Sequence, residues 1–261
     1  MKTDPLRAGS QAAAFIGKWR AREPEMAFAE VFCPPSQRTQ FALWGALVLE
    51  CREAALELSD PRPTQIKCLW WAEEATLAAQ GHPRHPLTCA LAQPALPWAR
   101  LAQALATVAD DDAGRPVDRE AALATVAPLA DALVAMEAAL FVVPTSAPAQ
   151  RAAAAHLLGQ RLRIGREAGP GGRVPLALLA RHGLTAAALA GPGGEPALRD
   201  WAGELAAALP RVPLEASLFR RARTGFDGWL LRERAAGRNR RMPPLRALLR
   251  AWTAARDRGP G

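Results

Sequence analysis

Residues 36–58, SQRTQFALWGALVLECREAALEL, decide the fold class. Apolar side chains recur there at three- and four-residue spacing, among the helix formers Ala, Leu, Glu and Arg. The same period returns in 64–80, 96–109, 118–141 and 149–167. No stretch shows the alternation of β-branched and polar residues that a half-buried strand needs. Breaks of Pro and Gly separate the helical stretches. Ser36, after Cys33-Pro34-Pro35, reads as a helix N-cap, and Pro61 and Pro63 read as the stop of the 36–58 helix. Gly81-His82-Pro83-Arg84-His85-Pro86 closes the next helix, and 110–117, 168–175 and 191–196 read as loops. The expectation is an all-α chain of about ten helices in a single domain over 1–261, with a mobile, basic C-terminal part.

Composition excludes several classes. Half of the 261 residues are apolar, too many for a disordered chain, and no apolar run approaches the ~20 residues of a membrane span. The opening MKTDPLRAGS lacks the apolar core of a signal segment. Cys33, Cys51, Cys68 and Cys89 form no C-x-x-C pair, which speaks against a disulfide scaffold or zinc knuckle. A reduced, cytoplasmic protein is expected. The chain has no Tyr, one Asn (Asn239) and three Lys (Lys2, Lys18, Lys67), a skew that GC-rich codon usage produces. From Arg199 onward 14 Arg face 6 Asp+Glu, so the whole net charge of +8 sits in the last quarter.

Four constellations could carry chemistry. Glu50, Glu53 and Glu57 share one helix face, and three stacked acids need a countercharge. Arg52 and neighbouring helices would supply it in a structural role, and Mg²⁺ with bound phosphate in a chemical one. Trp70-Trp71, beside Glu73 and Glu74, either seal a core or form a ligand wall. His82 and His85 have a spacing that suits a metal, but with no third ligand nearby in sequence they read as part of a helix-to-helix turn. In 151–175, Arg163, Arg166 and Glu167 end a helix, and a Gly-Pro-Gly-Gly loop leads to Arg173, an arrangement suited to gripping a diphosphate. It has no Walker pattern. Asp110-Asp111-Asp112 reads as a solvated turn.

The Arg runs 220–223 and 238–241 would suit nucleic acid or anionic lipid, but they lack interleaved aromatics and match no nucleic-acid module, so no specific nucleic-acid partner is expected and a basic helical nucleic-acid binder is the third, weakest reading. Helix 243–256 carries Leu245, Leu248, Leu249 and Trp252 on one stripe, which is expected to dock on the body, with a protein partner or peripheral membrane contact second.

Taken in order, Phe32-Cys33-Pro34-Pro35, the acid-bearing helix, Ser59-Asp60-Pro61, Ile66-Lys67-Cys68-Leu69-Trp70-Trp71 and Arg84-His85-Pro86-Leu87 resemble the squalene/phytoene synthase family. Leu157-Leu158-Gly159 through Arg166, Gly172-Arg173-Val174-Pro175-Leu176 and Leu179-Ala180-Arg181-His182-Gly183-Leu184-Thr185 resemble its second block. The likeness covers roughly residues 28–185. It implies an all-α isoprenoid synthase fold around a central cavity. In active members two aspartate-rich motifs hold Mg²⁺ on a prenyl diphosphate, and two prenyl chains are joined head to head.

This chain departs from that pattern at the metal site. Glu50, Glu53 and Glu57 stand where the first motif belongs, Glu167 alone where the second belongs, and the tyrosines near the cation are absent. The first half looks closest to a divergent branch that includes a mitochondrial assembly factor of respiratory complex I. The resemblance therefore implies a synthase-like pseudoenzyme that binds a lipid or prenyl ligand or acts in assembly. The alternative is an active Mg²⁺-dependent prenyltransferase using Glu50, Glu53 and Glu167 for metal and Arg163 and Arg166 for phosphate, with Trp70 and Trp71 as cavity wall.

Overall fold

The computed structural model describes residues 5–93, 95–110, 114–169 and 171–256, with side chains from 11 onward. Asp111, Asp112 and the tip of the Gly-Pro-Gly-Gly loop at Pro170 lie outside the described residues. Twelve α-helices, and no strand, cover the described residues. They are α1 (Pro5–Arg22), α2 (Pro24–Val31), α3 (Arg38–Arg52), α4 (Pro61–Ala79), α5 (Pro86–Ala90) and α6 (Trp98–Ala109), followed by α7 (Arg119–Phe141), α8 (Ala147–Arg163), α9 (Leu176–Arg181), α10 (Glu195–Ala208), α11 (Leu218–Ala235) and α12 (Pro244–Arg256). The expected all-α architecture is present; the short α5 and α9 take the count past ten.

Two helix boundaries differ from the sequence reading. Pro61 opens α4 rather than closing the preceding helix: the Asp60 carboxylate accepts from Arg62 N–H at 2.9 Å, and Pro61, lacking an N–H, occupies the first turn at no hydrogen-bond cost. Ser36 is no N-cap, because Pro35–Gln37 already coil as a 3₁₀ turn and α3 starts behind Gln37 without a side-chain cap. Asp118, Ser146 and Ser217 cap α7, α8 and α11 through the backbone N–H groups of Ala121, Ala149 and Arg220.

Helix α3 is the axis of the core, with an unbroken buried run from Phe41 to Leu49. Phe41 meets Trp19, Phe141 and Phe219 edge to face, with centroids 6.2, 6.5 and 5.1 Å away. At Gly45 the indole of Trp19 lies so close that a Cβ would sit 2.3 Å from it, so glycine lets α1 approach α3. Around this axis α4 packs on α6, α7 on α8 and α10 on α11. By length and composition α7 could cross a membrane, despite the sequence showing no unbroken apolar run of that size; here most of it is inside the protein.

Candidate functional site

Helix α3 ends in one π-helical turn, Glu53–Glu57, whose Leu56 carbonyl accepts from Arg161 Nη1 of α8. Such wide turns re-aim side chains, and this one falls on the acid-bearing face. Glu50, Glu53 and Glu57 do come together, but their countercharge is already in place. Lys18 Nζ of α1 lies 2.7 Å from Glu50 Oε1 and 2.5 Å from Glu53 Oε2. Burial opposes the Lys18 charge, but its bonds to the two carboxylates outweigh that and raise its pKa. Arg22 Nη2 stands 2.7 Å from Glu57 Oε2, and Arg52 Nε donates to Glu57 Oε1 at 2.6 Å. Arg52 and a neighbouring helix thus supply the countercharge.

Glu167 lies elsewhere, past the end of α8. It is buried, and its Oε2 accepts from the backbone N–H groups of Arg173 and Val174 at 2.7 and 3.1 Å. Arg115 holds the same loop, donating to the carbonyls of Glu167 and Val174 at 2.9 and 3.1 Å. Gly172 is required there, because a Cβ would meet the Glu167 carbonyl at 2.2 Å. Glu167 therefore pins a turn, and Arg166 is exposed at its edge. Among the described residues no group of three or more His, Cys, Asp or Glu is placed to hold a metal ion. As arranged, with their oxygens turned to an ammonium, guanidiniums and backbone amides, Glu50, Glu53 and Glu167 do not fit a Mg²⁺ site.

Trp70 and Trp71 pack around His85, with Trp71 buried and Trp70 exposed. His85 Nδ1 caps α5 by accepting from Leu87 N–H, and Glu74, fully buried, accepts from the N–H groups of Arg84 and His85 at 2.8 Å each. The His-Pro segment is a clamped turn.

The charged centre of the molecule was not legible in the sequence. Glu23 accepts from Arg52 Nη1, from Arg223 Nη1 at 3.0 Å and from Trp19 Nε1 at 3.1 Å, all of them buried. Arg223 Nη2 continues to Glu25 at 3.0 Å and Asp227 at 3.2 Å. His156 bridges the two halves: Nδ1 lies 3.0 Å from Asp227 Oδ2, and Nε2 lies 3.2 Å from Arg52 Nη1. Burial lowers the His156 pKa despite Asp227, so the ring is neutral, donating through Nδ1–H and accepting at Nε2. For Glu23 and Asp227 burial works against the charge, but Arg52 and Arg223 prevail and both pKa values are lowered. Only the Arg223/Asp227 spacing of four hinted at any of this.

Between α2, α8, α11 and the 238–244 segment lies a cavity of about 670 Å³. Phe28, Leu162, Leu231 and Met242 give it an apolar wall, and Gln160, Glu25 and Asp227 lie on its polar side. Gln160 is only 3% exposed, yet its Oε1 has no hydrogen-bond partner among the described residues. Arg22, Arg163, Arg234, Arg238, Arg240 and Arg241 complete the lining. Of the sequence candidates only Arg163 lines this cavity; Glu50, Glu53, Glu57, Arg166, Glu167, Arg173, Trp70 and Trp71 do not.

No family model and no curated protein matches the chain. Solved structures do. A dehydrosqualene synthase crystallised with ligand superposes at a TM-score of 0.66 with 15% identity, over 96% of this chain and 98% of that one. The squalene synthase HpnC from Alicyclobacillus acidocaldarius superposes at 0.60 with 16% identity, over 90% of this chain and 95% of its own. The fold is that of these isoprenoid synthases.

Proposed function

We propose that this isoprenoid-synthase fold works without metal, as a pseudoenzyme that holds an amphipathic anion (a prenyl diphosphate or related lipid) in the α2/α8/α11 cavity. The observation that carries this reading is the separation of two features: the carboxylates are neutralised by Lys18, Arg22 and Arg52, while the cavity is lined by six arginines against two acids. Those acids, Glu25 and Asp227, are already paired with Arg223. Arg163 and Arg241 are the cations available to a phosphate, since Arg241 has no ion-pair partner among the described residues and Arg163 only a 3.9 Å approach to Glu25. A volume of about 670 Å³ falls in the ~300–1,000 Å³ range of small-molecule sites, and the apolar wall suits a hydrocarbon chain. The likeness of the fold to a dehydrosqualene synthase and a squalene synthase agrees with it.

An active Mg²⁺-dependent prenyltransferase is the second reading, because Glu50 and Glu53 lie side by side on one cation; it requires Lys18 to withdraw.

Calorimetric titration with farnesyl diphosphate tests the choice. Affinity is expected to be equal in EDTA and in Mg²⁺, to fall about tenfold or more in Arg163→Ala/Arg241→Ala, and to be unchanged in Glu50→Gln. Coupled product formed only with Mg²⁺ and abolished by Glu50→Gln would establish the second reading instead.

A further inference from the structure

Helix α12 turns the opposite face to the body from the one its sequence leads one to expect. Its buried residues are Ala247 and Ala251, whereas Leu245, Leu248, Leu249 and Trp252 are exposed, Leu245 at 82% and Leu249 at 58%. Positions i, i+3, i+4 and i+7 line one stripe, so the largest apolar side chains of the helix form a continuous ridge facing solvent. A docked amphipathic helix buries its Leu side; this one packs on α2 and α11 through small residues.

The stretch that carries the ridge has charge of a single sign, with Arg234 paired to Glu195 of α10. From Arg234 to Arg256 there are seven arginines and no acid. Arg241 and Arg246 are exposed, and Arg256 stacks over Trp252 at 4.3 Å, at the end of the ridge. Arg238 and Arg240 are partly neutralised by Glu233. Exposed Leu and Trp between arginines form the pattern of a helix lying in the headgroup region, with its apolar side in the acyl boundary and its cations on anionic lipid. Position adds to chemistry. Arg241, Met242 and Pro244 line the cavity and lead directly into α12, so the ridge begins at the cavity rim.

We propose that α12 is a membrane-docking helix that seats the protein on an anionic bilayer, with the cavity rim at the lipid surface. The ridge and its arginines stand independently of what the cavity holds.

The test is co-sedimentation of the full chain with phosphatidylcholine vesicles with and without about 30% phosphatidylserine. Binding is expected only with the anionic lipid and is expected to fall steeply with added salt. Leu248→Glu/Leu249→Glu should cut it about tenfold or more without lowering Tm, because both side chains are exposed. Arg241→Ala/Arg246→Ala should weaken binding and flatten its salt dependence. Absence of binding to anionic vesicles at low salt overturns the proposal, as does binding that the Leu pair does not affect. Concentration-dependent self-association that the Leu pair abolishes, without vesicle binding, would make a second copy of the chain the occupant and also overturn it.

Discussion

Glu23 is the residue on which the buried charges depend, since Arg52, Arg223 and Trp19 all donate to it. Glu23→Gln keeps the shape and removes the charge, leaving two interior guanidiniums short of a counter-ion. Breaking a buried pair from one side costs several kcal/mol, so urea unfolding should report a loss of about 3 kcal/mol or more. A loss below ~1 kcal/mol would mean that water already screens this network. The sequence displays Glu50, Glu53 and Glu57 openly because helical period alone brings them together. It hides their partner, since Lys18 is 32 residues from Glu50 and its position depends on how α1 crosses α3. It hides His156 more completely, as the only link between that residue and Asp227 is the packing of α8 on α11.

Helix packing and helix ends carry two further expectations. Gly45→Ala would drive a methyl group into the Trp19 ring and push α1 off α3; overpacking of this kind should lower stability by about 1–3 kcal/mol, read as a fall in Tm. Val142 ends α7 in the left-handed region with φ 53°, and its side chain is 90% exposed, so it is strained and contacts little. Val142→Gly should therefore raise Tm, by about 2 °C if ~0.5–1 kcal/mol of strain is released. An unchanged or lower Tm would show that the unfolded-state entropy of glycine outweighs the strain. Long helices such as α7 and α8 were legible from their length and their run of helix formers, since they are buried on nearly all sides and carry little one-sided pattern. Their junctions were not: a proline before a helix and a proline after one look alike, and only the Asp60 cap distinguishes them at Pro61.

Across the whole molecule, part of the charge read from the C-terminal quarter is internal, with Arg220, Arg221 and Arg223 buried. Arg220 pairs with buried Glu137, Arg223 with Glu23, Glu25 and Asp227, and Arg234 with Glu195. These arginines are partnered by acids from earlier in the chain, and only tertiary structure reveals this. The same network predicts an acid response. His156 has an ordinary pKa of 6.5 and is lowered by burial, so below about pH 6.5 the unfolded chain gains a proton that the folded one refuses. Glu23 and Asp227, ordinarily near 4.5 and 3.8, are lowered in the fold; their contribution is complete above those values and is lost as pH falls through and below them. Tm should decline in two stages, gently below about pH 6.5 and steeply below about 4.5, with His156→Gln reducing the first, to which His85, also lowered by burial, contributes. A Tm that stays flat to about pH 3 would contradict the assignment of charges. Lys18 also sets a direction on descent. An ammonium tethered to the backbone is a counter-ion that no chelator removes and no dilution disperses. A lineage trading Lys18 away first leaves Glu50 and Glu53 repelling one another, and one shortening Glu50 and Glu53 to Asp first draws them off the ammonium while still excluding a cation. Either order crosses a less stable intermediate, which makes the present arrangement easier to enter than to leave.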